Sequence, residues 1–344
     1  MVVAAVAIGR NEGARLIACL ESLAGRATPI VYVDSGSTDS SVEAAEVRGA
    51  TVVTLDPAVP FTAARARNAG IAALGDNPGA YVQLIDGDCT LDPGWLIQAV
   101  AFLDANPGYA VVCGRRRERA PDASPWNRLA DMEWNTPPGD AAACGGDALM
   151  RLKALAAVGG FREDLIAGEE PELCLRLEQA GWRIHRLDAA MTRHDAALTR
   201  FSQWWRRCRR AGWAAAEGYA LHGRGPECYH CRTLRSLAVW VATPPSLVLL
   251  TAIFKGPTAC ALAVIVMLGL YALQAVRIAR GRHLSRGDPW PHALLYGVFT
   301  MIGSATQSSN WTATAATRTR LCARKWMCPR AGSTSSRSTT PCAV

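Results

Sequence analysis

The pair with the clearest chemical potential is Asp86 and Asp88, set one residue apart in Tyr81-Val82-Gln83-Leu84-Ile85-Asp86-Gly87-Asp88-Cys89. Residues 81–85 are aromatic, β-branched or aliphatic except for Gln83, so they read as a buried strand ending in two carboxylates. Side chains alternate along an extended chain, so residues two apart lean the same way. Gly87 between them permits close backbone approach. Two hard oxygen donors so placed suit one Mg2+ or Mn2+, which in turn grips a diphosphate. An Asp-x-Asp on its own is equally the content of an acidic surface loop. What favours a site here is the company it keeps.

The elements that must position this pair alternate regularly. Residues 2–8 form a continuous apolar run, the pattern of a central parallel strand covered on both faces. Asn11 and Glu12 follow it and open a helix with Leu16, Ile17, Leu20 and Leu23 on one side. Residues 29–33 form a second strand, followed by the turn Asp34-Ser35-Gly36-Ser37-Thr38-Asp39. A strand at 51–55, a helix at 61–74 carrying Arg65, Arg67 and Asn68, the acidic-tipped strand, a helix at 93–103 and a strand at 109–113 continue the series. Such alternation implies βαβ units and an α/β fold with a mostly parallel sheet flanked by helices. Ligands of these sheets bind beyond the carboxyl ends of the strands. Asn11-Glu12, Asp34-Ser35 and Asp86-Gly87-Asp88 all fall there, and that convergence makes them candidates together.

Further along, residues 115–143 read as an irregular loop, with the basic run Arg115-Arg116-Arg117 and four prolines. Residues 143–152 read as a strand that includes Gly146 and Asp147. A helix at 169–180 begins Gly168-Glu169-Glu170-Pro171-Glu172, a strand covers 182–187, and an Arg/Trp-rich helix covers 199–221, suited to a membrane surface.

The composition then changes. Residues 236–254 and 258–276 are each free of charge, and each matches the roughly 20 residues that a helix needs to cross a bilayer. Only Lys255-Gly256-Pro257 lies between them, which predicts a transmembrane hairpin, kinked at Pro244-Pro245. Arg224, Arg232 and Arg235 precede it and Arg277, Arg280 and Arg282 follow, so both flanks are expected on the cytoplasmic side of the inner membrane. Residues 292–303 are apolar but too short to span. The organisation expected is therefore a catalytic domain at 1–221, a linker at 222–235, the hairpin at 236–276, a membrane-proximal segment at 277–303 and a disordered Ser/Thr/Arg-rich tail at 304–344.

The 344-residue chain carries a formal net charge of +8. Six Lys/Arg and no Asp or Glu lie in residues 304–344, so the remainder is only +2 (8 − 6). That is not the charge pattern of a nucleic-acid binder, and none is expected as a partner. The twelve cysteines fit a reducing compartment. Cys228-Tyr229-His230-Cys231, with His222, could be half of a zinc site, but no second pair is evident and zinc is not expected. Residues 1–8 lack the basic start of a secretory signal and read as the first strand.

The motifs, taken in order, resemble the family 2 glycosyltransferases of the membrane-anchored bacterial type, over roughly residues 1–220. The resemblance rests on Ala7-Ile8-Gly9-Arg10-Asn11-Glu12, Val33 to Asp39, Ala66-Arg67-Asn68-Ala69-Gly70-Ile71, Asp86-Gly87-Asp88, Gly159-Gly160-Phe161 and Gly168 to Leu173. It implies the GT-A fold, a nucleotide-sugar donor, a Mg2+ or Mn2+ cofactor, and a saccharide or lipid-linked acceptor. On this resemblance Asp34 reads the base or ribose, Asp86 approaches ribose and metal, Asp88 is the main metal ligand, and Arg67 contacts ribose or phosphates. His194 is a further candidate at the metal or diphosphate. Asn11, Glu12, Ser35, Gly87, Gly146 and Asp147 complete the expected donor contacts. The general base of an inverting transfer falls on Glu170, with Glu169 as the alternative, where the family has aspartate. Gln203-Trp204-Trp205-Arg206-Arg207 departs from the family's processive Gln-x-x-Arg-Trp order, so one sugar per encounter is expected. The readings weighed against transfer are a sugar-1-phosphate nucleotidyltransferase and a non-catalytic membrane scaffold.

Overall fold

The computed structural model describes residues 2–76 and 78–308. The expected disordered tail therefore lies outside the described residues from 309 onward, while residues 304–308 belong to a helix.

The chain runs β1 (Val3–Gly9), α1 (Ala14–Leu23), β2 (Ile30–Asp34), α2 (Ser41–Val47), β3 (Thr51–Thr54), α3 (Ala63–Ala72), β4 (Tyr81–Asp86), β5 (Cys89–Leu91) and α4 (Trp95–Ala105). It continues with β6 (Tyr109–Glu118), α5 (Pro125–Trp134), β7 (Gly139–Asp140), β8 (Ala148–Arg151), α6 (Leu152–Ala157), α7 (Glu169–Gln179) and β9 (Arg183–His194). The strands form one sheet in the order β3-β2-β1-β4-β8-β6-β9-β5, with β7 against β9. Its first half is parallel: β1 pairs with β2 and β4, and β2 with β3. β8 then runs antiparallel to both β4 and β6, and β5 and β7 run antiparallel to β9. The sheet is thus mixed, with the parallel block expected from the N-terminal alternation. β1 is buried along almost its whole length, as its unbroken apolar run requires.

The stretch 115–143 is not an irregular loop. β6 continues through Glu118, and α5 starts at Pro125, whose preset φ suits a first helical turn. Ser124 caps that helix by accepting from the Asn127 amide at 3.0 Å. The strand expected at 143–152 shortens to β8, because residues 143–147 form the turn that enters the site.

The C-terminal part is helical: α8 (Phe201–His222), α9 (Cys231–Leu237), α10 (Thr243–Lys255), α11 (Pro257–Arg286) and α12 (Trp290–Ser308). A π-helical stretch, Ala238–Ala242, joins α9 to α10 directly before Pro244-Pro245, where prolines remove backbone donors. The helices Cys231–Lys255 and Pro257–Arg286 are long and apolar enough to cross a membrane, and little of either apolar stretch is buried within the molecule. The first begins inside the expected linker. Cys228 and Cys231 are joined as a disulfide, which removes both thiolates from a zinc set. α12 lies along α11 and α8. Trp204, Cys208 and Leu129 are buried there, with Trp126 and Phe299 packed against them. The Trp204 face of α8 is therefore packed on protein and is not free to lie in a lipid surface.

Candidate active site

A cleft of about 710 Å³ opens at the carboxyl ends of β1 and β4. It is lined by Glu12, Ser35, Arg67, Asp86, Gly87, Asp88, Gly146, Glu169, Glu170 and His194, all expected from the sequence. Arg116, Glu133, Trp134, Thr136, Cys144, Arg186, Arg207 and Arg210 line it as well and were not expected.

Asp86 ends β4 and sits between two guanidinium groups. Arg67 Nη2 lies 2.9 Å from Oδ1 and Arg116 Nη2 lies 3.2 Å from Oδ2. Burial pushes the Asp86 carboxyl up, but Arg67 and Arg116 outweigh it and hold the group at about 2. Arg67 reaches the site from α3 and is 4 % exposed, with its other arm 2.7 Å from Glu169 Oε1. Opposed to Glu169 and Asp86, it stays charged at any physiological pH. Gly146 passes close over this pair: a Cβ there would lie 2.8 Å from Asp86 Oδ2 and 3.1 Å from Arg67 Nη2, so only glycine leaves both in place.

Asp88 points the other way. Its Oδ2 lies 3.2 Å from His194 Nε2 at the end of β9. β5 and β9 impose this meeting: Cys89 is paired with His194, and the Asp195 amide donates to the Asp88 carbonyl at 3.0 Å. His194 Nδ1 faces Glu118 Oε2 at 3.7 Å and is buried without a hydrogen-bond partner among the described residues. Burial pushes the His194 imidazole down, but Asp88 and Glu118 outweigh it and raise it. A carboxylate beside an imidazole backed by a second carboxylate is a metal-ligand arrangement. These residues fit a divalent cation held by Asp88 and His194. Asp86, already in two ion pairs, is placed to support the site's charge more than to ligate.

The other expected donor contacts divide. Glu12 lines the cleft and pairs with Arg15 at 2.6 Å; burial and then Asp88 raise its carboxyl. Ser35 Oγ donates to the Gly9 carbonyl at 3.0 Å. Asp34 is buried at 1 % exposure and accepts from the Gly36 and Ser37 amides, both at 2.9 Å, from Tyr32 Oη and from Ser37 Oγ. It shapes the loop after β2 and does not line the cleft. Asn11, at φ +55°, accepts from the Thr38 amide at 2.7 Å and ties the two loops together. Asp147 lies beneath the cleft, fully buried, accepting from the Asp86 amide at 3.0 Å and from Thr192 Oγ1 at 2.7 Å. Asn11 and Asp147 hold loops at the rim of the cleft and are not among its lining residues.

Glu169 and Glu170 open α7, where acidic groups meet the positive end of the helix. Their roles separate: Glu169 is paired with Arg67, whereas Glu170 Oε1 accepts the Cys144 amide at 2.6 Å. Glu170 is 9 % exposed and faces the cleft.

Arg116 is the residue whose signal was present but unread. Alternation along β6 sends Arg115 to Asp188 and Arg117 to Asp131 on one face, and Arg116 to the cleft on the other. Arg116 also lies 4.8 Å from the Trp134 ring centre, Arg207 lies 5.4 Å from it, and His194 packs edge-on at 4.5 Å. Trp134 thus braces the cationic wall of the cleft.

Residues 6–158 match the family model described as Glycosyl transferase family 2. The pre-mycofactocin glycosyltransferase of Mycobacterium tuberculosis is 28% identical over 199 residues, covering 54% of this chain and 41% of its own length. The succinoglycan biosynthesis protein ExoA of Rhizobium meliloti is 29% identical over 200 residues, covering 52% of this chain and 58% of its own. The chain thus spans about half the length of these curated relatives. The mannosyltransferase PcManGT of Pyrobaculum calidifontis, solved with GDP-Man and Mn2+, overlays with a TM-score of 0.58 at 16% identity, covering 90% of this chain and 86% of that one. Residues 6–158, which contribute most of this cleft, are thus similar to the family 2 glycosyltransferases, and the fold is GT-A-like.

Proposed function

We propose that this chain is a membrane-anchored, metal-dependent inverting glycosyltransferase that moves a sugar from a nucleoside-diphosphate sugar to a hydroxyl of a saccharide or lipid-linked acceptor. The observation that carries this reading is one cleft that joins the Asp88–His194 pair, the Arg67 and Arg116 guanidiniums and the Glu170 carboxylate. The relatives, one a glycosyltransferase and one a polysaccharide biosynthesis protein, and the PcManGT complex with a sugar nucleotide and Mn2+ are consistent with it.

A diphosphate leaving group gains charge as the glycosidic bond breaks. A bound Mg2+ or Mn2+ would neutralise part of that charge. Arg67 and Arg116 supply fixed positive charge on the same wall and need no rearrangement to do so. Asp86 keeps both guanidiniums in place, and Glu169 holds the second arm of Arg67. Glu170, with Oε1 fixed by the Cys144 amide, accepts the proton of the acceptor hydroxyl while that oxygen attacks the sugar carbon from the face opposite the diphosphate. The helices Cys231–Lys255 and Pro257–Arg286 form a membrane hairpin, with arginines on both flanks holding the catalytic domain to the cytoplasmic face of the inner membrane. There it would meet a lipid-linked acceptor in the assembly of cell-surface polysaccharide or glycolipid.

The test is nucleotide release by the full chain in detergent from a panel of UDP- and GDP-sugars, with Mn2+, with Mg2+ and with chelator. Release from at least one donor, dependent on the ion, is expected. Pyrophosphate formation from a nucleoside triphosphate and a sugar-1-phosphate would instead identify a nucleotidyltransferase.

A further inference from the structure

We propose that Cys144, Cys174 and Glu170 form a second cation site in the wall of the cleft, selective for a thiophilic divalent ion of the zinc class, and that filling it withdraws Glu170 from proton transfer. The inhibitory half of this rests on the reading of Glu170 as the base. The binding half does not.

Glu170 and Cys174 lie one helical turn apart on α7 and so share a face. Cys144 comes from the turn before β8. Its Sγ is 3.7 Å from Cys174 Sγ, and Cys174 Sγ is 3.6 Å from Glu170 Oε1. All three donor atoms lie within 4.8 Å of one another, and all three residues are buried. Two sulfurs each about 2.3 Å from a tetrahedral zinc are about 3.8 Å apart, and a sulfur and an oxygen about 3.5 Å apart. The Cys144–Cys174 and Cys174–Glu170 spacings match these two values. A disulfide, in contrast, would require the sulfurs to close to about 2.05 Å.

The site has an open side. Cys144 and Glu170 both line the cleft, so a water can complete the tetrahedron, as in zinc sites with three protein ligands. Two thiolates and a carboxylate leave one negative charge in excess of a divalent ion. Arg186 lines the same cleft and is the cation available to offset it: it is 8 % exposed, its Nη2 lies 3.4 Å from the carbonyl of Ala143, the residue before Cys144, and its Nε has no hydrogen-bond partner among the described residues. Ligand softness separates this site from the one at Asp88 and His194. Thiolates select zinc, whereas Mg2+ and Mn2+ prefer oxygen ligands. An ion bound to Glu170 Oε1 draws charge from the whole carboxylate, and so lowers the basicity with which its other oxygen would take the acceptor's proton.

The experiment titrates the full chain, its Cys228–Cys231 disulfide left intact, in detergent under nitrogen and without reductant, with Co2+ in excess Mg2+, and follows the sulfur-to-cobalt charge-transfer band together with proton release. One equivalent of Co2+ should give that band and the intense visible bands of a tetrahedral site, displaced by zinc, with about two protons released per ion. The band should be lost in Cys144→Ser and Cys174→Ser and kept in Cys260→Ser, whose thiol lies on α11. Absence of a stoichiometric band in the unaltered chain, which needs no variant, would overturn the site; so would a band that survives Cys174→Ser. Zinc at one equivalent should also lower nucleotide release about tenfold or more, and should not do so in Cys174→Ser relative to its own metal-free rate. A normal cobalt band with no zinc inhibition would leave the cation site standing and remove Glu170 from the role of base.

Discussion

His194 Nε2 lies 3.2 Å from Asp88 Oδ2, brought there by the antiparallel pairing of β5 with β9. Because the backbone ladder fixes the contact, the pair is set before any ligand arrives. Glu118 behind the imidazole adds a carboxylate on the far side of the ring. Asp86, two residues from Asp88, is committed to Arg67 and Arg116. The Asp-Gly-Asp sequence therefore divides its labour: one carboxylate faces His194 at the proposed cation site and the other anchors the arginines beside it.

Glu170→Gln keeps the shape of the side chain and removes its basicity. Donor binding, measured by calorimetry, should stay within about twofold, while transfer to acceptor should fall by about 10²–10⁴. Glu169→Gln should instead weaken donor binding, since Glu169 holds an arm of Arg67.

Arg116→Met removes a cleft guanidinium but keeps most of the side chain's volume. Loss of a hydrogen bond to a charged group costs about 1.5–3 kcal/mol, so the dissociation constant for the sugar nucleotide should rise by roughly 10- to 100-fold. Arg115→Met, which loses only a pair with the exposed Asp188, should bind donor as the unaltered chain does.

Acid should act partly through Asp131. It is buried and accepts from Arg117 and from the Glu118 amide. Burial pushes its carboxyl up, but these hydrogen bonds and the charges of Arg117 and Arg128 prevail and hold it below the usual value. A lowered folded-state value means that the group's stabilisation is present above the unfolded value, near 3.9, and is lost as pH falls through the folded one. Asp131→Asn should cost about 1–3 kcal/mol at neutral pH, and the gap to the unaltered chain should narrow below about pH 4 in denaturation curves.

Much of this was legible in the sequence, for physical reasons. The apolar runs of β1 and β4 permit little but central strands, and the placement of Asp86, Asp88 and Glu12 at their ends follows. Arg67, Glu169 and Glu170 carry their own local signals, and all three line the cleft. What the sequence concealed depends on long-range pairing. Arg116 is one of three consecutive arginines, and only the register of β6 against β9 shows which one turns inward. Trp134 sits at the end of a helix masked by surrounding prolines. Asp34 reads as a ligand contact because its loop lies at the carboxyl end of the sheet, and Asp147 only because of the family resemblance. Their hydrogen bonds to backbone amides and to Tyr32, Ser37 and Thr192, invisible until the chain folds, tie both carboxylates to the surrounding protein. The antiparallel β8 was hidden for a similar cause, since strand direction is set by connection and not by composition.

The most direct test of the account is calorimetric binding of the sugar nucleotide that the full chain turns over, with Mn2+ and with chelator, for the unaltered chain and for Asp88→Asn. Binding should require Mn2+ and should weaken by at least about tenfold in the variant, in step with lost Mn2+ affinity. Equal donor affinity with and without the ion, or undiminished Mn2+-dependent binding by Asp88→Asn, would contradict it.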